Sequence, residues 1–188
     1  TANSKIETTI ENLKKNQRAW NAKKQQDLDK LQQGVEELEH LDIEVELEAH
    51  EKLAEWSELN TAKTALNKEK STLDSALLQA DKRVKKIEQD VLNLEDATCY
   101  TCGQELHADK KQEILESKAK ELEESIAYQT DVRGKLDEVL KNLSDIGDLD
   151  AKPNTFYDTA KEAYEHRNNV DNLKQAVLSK SEETDPYE

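Results

Sequence analysis

The chain has 188 residues, of which 37% are charged and 4% aromatic, with four glycines and two prolines. That mixture is too polar for an ordinary globular core, yet it suits long helices. A net charge of −15, with no Lys/Arg cluster interleaved with aromatics, argues against direct binding of a phosphate backbone.

No run of about 18 apolar residues is available to span a bilayer, and nothing resembles a signal peptide. Two cysteines in such a chain favour a reducing compartment, so a cytoplasmic location is expected. The sequence contains no methionine and reads as a piece of something larger. Low hydropathy with high net charge also marks unfolded chains, so periodicity has to decide between helix and disorder.

In chain order, residues 1–96 are expected to form an ascending helical arm, irregular near 40–55. Its first part carries a loose seam through Ile6, Ile10, Leu13, Trp20, Leu31, Val35 and Leu38. "DIEVELE", residues 42–48, alternates polar and apolar side chains, a strand period and not a helical one. The acid-rich run from Glu36 to Glu51, with no lysine until Lys52, is expected to be a solvated face that could keep neighbouring rods apart. Trp20 and Trp56 are expected to pack in the seam or at a joint.

A cleaner heptad seam follows through Leu66, Lys70, Leu73, Leu77, Ala80, Val84, Ile87, Val91 and Leu94. The helix is expected to end around Glu95 to Ala97, leaving residues 97–108 as a tip. A descending arm over 109–146 starts at Asp109, whose carboxylate is expected to cap the backbone N–H of Gln112. Its seam reads Leu115, Ala119, Leu122, Ile126, Gln129, Arg133, Leu136, Leu140 and Leu143. A disordered chain has no reason to keep two such stripes.

Gly147 and Pro153 mark a break over 147–155, because proline removes a helix donor and restricts Lys152 before it. Either both arms weaken there to make a joint, or one arm loops beside an uninterrupted partner. Helix is expected to resume near Thr155 and to occupy 156–188, a membrane-free segment of the descending arm.

Packed antiparallel, the seams level Leu115 with Ile87, Leu122 with Ala80 and Leu136 with Leu66, which puts the fold axis at Thr101. The same levels bring Lys70 and Arg133 together, each splaying toward carboxylates such as Glu69 and Asp137. At about 1.5 Å per residue the upstream arm would reach roughly 140 Å. The expected fold is therefore all-α, a long antiparallel coiled-coil hairpin.

Both cysteines fall at the expected tip, in "TCYTCGQEL", residues 98–106. Thiolates two residues apart converge on one ion, and zinc prefers four such ligands in a tetrahedron. Gly103 can take a left-handed conformation that directs backbone N–H groups at the sulfurs. Cys99 and Cys102 supply only two ligands. His107 could reach the ion or stand in water, and His40, His50 and His166 lie far along the arms. Two copies meeting tip to tip complete the tetrahedron, giving one Zn2+ per homodimer, with Tyr100 and Leu106 adding contact around it. Tyr100, Thr101, Gly103 and Leu106 are thus the expected residues of the tip turn and dimer contact. A dithiol redox site is the competing reading, but it calls for a strand-and-helix pattern that is not visible here. Another is a structural coiled-coil adaptor whose C-x-x-C is incidental or forms a redox-sensitive disulfide.

A heptad hairpin with "CYTCGQEL" at its apex resembles the zinc hook of the SbcC and Rad-fifty family, the SMC-like ATPases of DNA double-strand-break repair. The tip is also similar to that of phage recombination exonuclease subunits of that family. Tyr100 stands where many hooks of the family carry proline. The resemblance implies that Cys99 and Cys102 are the metal ligands. It implies that zinc-joined hooks tether two complexes or close one dimer into a ring. It also implies that ATPase heads outside this segment engage DNA and a nuclease subunit. No G-x-x-x-x-G-K-S/T phosphate loop occurs, so the segment itself is expected to be non-catalytic. The implied setting is the cytoplasm of a bacterium or phage-infected host, or the nucleus in a eukaryote.

Overall fold

The structure, a computed structural model, describes residues 2–95, 103–105 and 107–187. It is all-α: helices α1 (Ala2–Leu38), α2 (Ile43–Glu95), α3 (Ala108–Ile146) and α4 (Ala160–Glu182), with no strand among the described residues. No helix is long and apolar enough to cross a membrane, among the described residues. Two compact units result, one of Thr1–Glu55 with Lys152–Glu188 and one of Trp56–Ala151.

In the first unit α1 and α4 run antiparallel. Lys180 pairs with Asp27 at 3.4 Å and Lys174 with Glu39 at 2.8 Å, while Lys24 Nζ donates to the carbonyls of Ser181 and Glu183. The helices approach closely at Gly34, where a Cβ would stand 3.5 Å from the Leu173 side chain. Leu31, Val35 and Leu38 are half-buried on this seam, and Ala163 and Val170 of α4 are buried. Ile6, Ile10 and Leu13, nearer the start of α1, are exposed.

The ascending arm is broken at residues 39–42, and "DIEVELE" is not extended. Asp42 starts α2: its Oδ1 accepts the Val45 N–H and its carbonyl accepts from Glu46 N. Within α2, Ile43, Glu46, Leu47 and His50 turn inward while Val45 faces water, a helical face at steps of three and four. The alternation in the sequence came from glutamates interleaved with apolar residues, and one of those glutamates belongs to the buried face.

The descending break begins at Gly147, whose φ of +68° suits glycine and whose N–H bonds back to Leu143 O. Helix resumes at Ala160, later than Thr155. Thr159 forms a capping box with Glu162: its Oγ1 accepts the Glu162 N–H, and the Glu162 carboxylate accepts the Thr159 N–H. The N–H groups of Phe156 and Tyr157 are already bonded to Glu46, and the chain bends through residues 156–159 before the helix begins.

In the second unit α2 and α3 lie antiparallel. Arg83 pairs with Glu121, Lys118 with Asp90, Gln129 with Asp81, and Lys63 with the Gly147 carbonyl. All nine expected seam positions of α2 from Leu66 to Leu94 are buried or half-buried. On α3 every second position matches: Leu115, Leu122, Gln129, Leu136 and Leu143 turn inward. Between them lie Lys118, Ser125, Val132 and Val139, whereas the expected Ala119, Ile126, Arg133 and Leu140 are exposed. Val132 is 4% exposed against 41% for Ile126. The seam steps three then four from Leu115, which places Arg133 in water and two valines inside.

The register also differs from the expected one. Lys118 would have stood level with Val84 and Gln129 with Leu73, but their partners Asp90 and Asp81 lie nearer the tip. The midpoint of Lys118 and Asp90 is Gln104, past Thr101. Lys70 and Arg133 are not level: Lys70 bonds Asp74 on its own helix and Arg133 reaches Asp81 at 3.6 Å.

Candidate functional site

At the expected tip, α2 ends at Glu95 with no basic residue in its last turn. The cation that this helix end favours comes from the other helix: Lys111 of α3 donates to the Glu95 carbonyl at 2.9 Å. Gly103 has φ +72°, the left-handed conformation anticipated for it, and a Cβ there would meet nothing within 4 Å among the described residues. His107 is the N-cap of α3, exposed, with no side-chain cap bond, so Asp109 lies in the first turn and does not cap it.

Cys99, Tyr100, Thr101, Cys102 and Leu106 lie outside the described residues. Among those described, no group of three or more His, Cys, Asp or Glu is placed to hold a metal ion.

A second constellation, in the first unit, brings together residues far apart in sequence. Glu46 is 5% exposed, and its carboxylate accepts the Phe156 N–H on both oxygens, at 2.8 and 2.9 Å, and the Tyr157 N–H at 2.9 Å. His50, also buried, donates from Nε2 to the same carboxylate at 3.1 Å. Burial pushes the Glu46 carboxyl up, but these N–H donors outweigh it and hold the group below its ordinary value.

Tyr157 carries the network onward, its hydroxyl 2.9 Å from His166 Nδ1. The other ring nitrogen of His166 lies 2.9 Å from the carbonyl of Leu38, the last residue of α1. A carbonyl only accepts, so Nε2 carries the proton, and in the neutral ring Nδ1 accepts from the tyrosine. His40 Nδ1 donates to the Glu37 carbonyl at 2.7 Å. Its ring stands edge-on to Phe156 and His166, with centroids 6.2 and 6.3 Å away. Two imidazoles thus satisfy carbonyls at the end of α1, a helix end with no basic residue in its last turn.

Sequence reasoning treated Glu36 to Glu51 as solvated and set His40, His50 and His166 apart from any shared site. Glu46 is not solvated, and the three histidines occupy one corner. The available signal was the helical spacing of Glu46, Leu47 and His50.

Electrostatics at the tip are mixed, with Lys110 paired to Glu113 beside Lys111. No protein-family model, curated protein or solved structure matches this chain.

Proposed function

We propose that this chain is a zinc-dependent linking element, the apex and adjoining coiled coil of an SMC-like DNA-repair ATPase of the SbcC and Rad-fifty kind. The observation that carries the reading is C-x-x-C-G in the connection between two antiparallel, heptad-patterned helices. The left-handed Gly103 immediately after Cys102 supports it.

The donor set fits half of a structural zinc site. Cys99 and Cys102 are soft thiolate ligands, and the same pair from a second copy completes four-coordination. The ion, when bound, would supply a cross-link between two chains, on the order of 10 kcal/mol in favourable peptide sites. Such a contribution outweighs repulsion between two acidic partners. Tyr100, Thr101, Gly103 and Leu106 would shape the turn and the contact between copies, and exposed His107 is not needed as a ligand. The segment is non-catalytic in this reading. DNA and a nuclease subunit engage ATPase heads outside these residues, in the cytoplasm of a bacterium or infected host, or in a eukaryotic nucleus.

Mass and zinc content measured on the same purified sample test this. One zinc per two chains is expected, with both metal and dimer lost in Cys99→Ser or Cys102→Ser. A zinc-free dimer whose mass survives chelator would remove the metal as the link.

The exposed Ile6, Ile10 and Leu13 favour a second reading, a structural adaptor that associates through helix faces. In that case Leu13→Asp disrupts association and Cys102→Ser does not.

A further inference from the structure

The corner of the first unit is built from polar groups where a core would ordinarily be apolar. Glu46, His50 and His166 are buried beside Leu47, Ala163 and Val170. Adhesion by hydrogen bonds has a different character from adhesion by apolar area. A half-opened state that leaves the Glu46 carboxylate or the Leu38 carbonyl dehydrated and without its donor costs more than either the complete or the fully solvated arrangement.

The bonds also form one continuous chain. It runs from Glu46 on α2 to the backbone N–H of Tyr157, through that residue's hydroxyl to His166 on α4, and on to the Leu38 carbonyl at the end of α1. Tyr157 is the crossing point, reaching α2 through its backbone and α4 through its side chain. Phe156 packs edge-on against the Tyr157 ring at 5.0 Å while giving its N–H to Glu46.

We infer that Glu46, Tyr157 and His166 form a single cooperative latch that holds residues 152–159 against α2 and the end of α1, so that this corner opens and closes as a unit. The Tyr157 hydroxyl, the His166 imidazole and the Leu38 carbonyl polarise one another, and the covalent frame of Tyr157 ties their geometry to the bond that its N–H makes with Glu46. The Glu46 carboxylate is the keystone: it takes the N–H groups of two successive residues of the segment before α4. A glutamine there keeps one acceptor oxygen and presents an NH₂ group to donors that need an acceptor.

Amide hydrogen exchange on the full chain tests the latch, comparing the natural protein with Glu46→Gln, Tyr157→Phe and the double variant. In Glu46→Gln the Phe156 and Tyr157 amides are expected to exchange at least about tenfold faster, as in sub-global opening. Tyr157→Phe removes one hydroxyl and leaves every Glu46 bond in place. A cooperative latch nevertheless transmits its loss, so the Phe156 amide also exchanges faster, and the double variant adds little to Glu46→Gln.

Unchanged exchange at Phe156 in Tyr157→Phe, or effects that simply add in the double variant, would mean independent bonds and overturn the proposal. Retained protection in Glu46→Gln would overturn it as well. Should Glu46→Gln fail to fold, the comparison of Tyr157→Phe with the natural protein still decides. Glu48→Gln, which alters an exposed carboxylate paired with Lys52, is the control and should leave exchange at Phe156 unchanged. None of these outcomes depends on whether the cysteines bind zinc.

Discussion

His166 lies between the Tyr157 hydroxyl and the Leu38 carbonyl, 2.9 Å from each, and so joins the segment before α4 to the last residue of α1. An imidazole is suited to the place because one neutral ring both accepts and donates. Removing it leaves two groups without partners.

His166→Ala is therefore expected to destabilise the first unit by about 2–4 kcal/mol, since each buried polar group left unsatisfied costs about 1–3 kcal/mol. Urea unfolding followed by helical circular dichroism measures it. A loss no larger than that of an exposed substitution such as Lys161→Ala would show that water replaces the imidazole freely.

Acid should act on the same corner through Glu46. Its folded-state carboxyl sits below the ordinary value of 4.5, so it contributes stability above that value and loses the contribution as pH falls through the folded pKa. Urea midpoints measured at decreasing pH below the ordinary carboxylate value should therefore fall more steeply for the natural chain than for Glu46→Gln. Parallel curves would show that the carboxylate is not depressed.

The seam of α3 can be checked residue by residue. Val132→Ala, at a buried position, should cost about 2 kcal/mol, whereas Ile126→Ala, which removes more apolar mass from an exposed position, should cost well under that. The reverse order would restore the four-then-three seam that includes Ile126 and Arg133. Thermal unfolding of the two variants side by side gives the answer.

Gly103 offers a test of the tip that leaves the thiols in place. Its left-handed backbone penalises an L side chain by about 1–2 kcal/mol, least for asparagine. On the proposed zinc reading, Gly103→Val should thus weaken metal binding at least severalfold, and Gly103→Asn less, with helix content unchanged. Competition with a chromogenic chelator measures both. Equal affinities would separate the glycine from the metal.

Much of the helical pairing was legible because Leu73, Leu77, Val84 and Ile87 repeat with a coiled-coil period that few other arrangements produce. The phase of α3 was harder to read. Leu115, Leu122, Leu136 and Leu143 belong to either of two stripes one residue apart, and Ile126 and Leu140 made the wrong one look more apolar. Its cost was Arg133 at a core position, whereas the other stripe offered Val132 and Val139 and asked that Lys118 and Ser125 turn inward. Lys118 and Gln129 then fix the register through Asp90 and Asp81, pairings that heptad arithmetic leaves open. The corner was less accessible still. Nothing local to Glu46 signals that its partners are backbone N–H groups of Phe156 and Tyr157, and proline and glycine mark where the chain breaks without saying what holds the broken ends.

The two indoles of the chain divide between its two units. Trp20 sits in the first, beneath the Lys24 ammonium, 5.3 Å from the ring centroid, and Trp56 opens the second, its Nε1–H bonded to the Asp150 carbonyl. Ultraviolet emission from the unlabelled protein thus carries one chromophore per unit. Replacing either by phenylalanine leaves a lamp that reports the melting of one half while the other is dark.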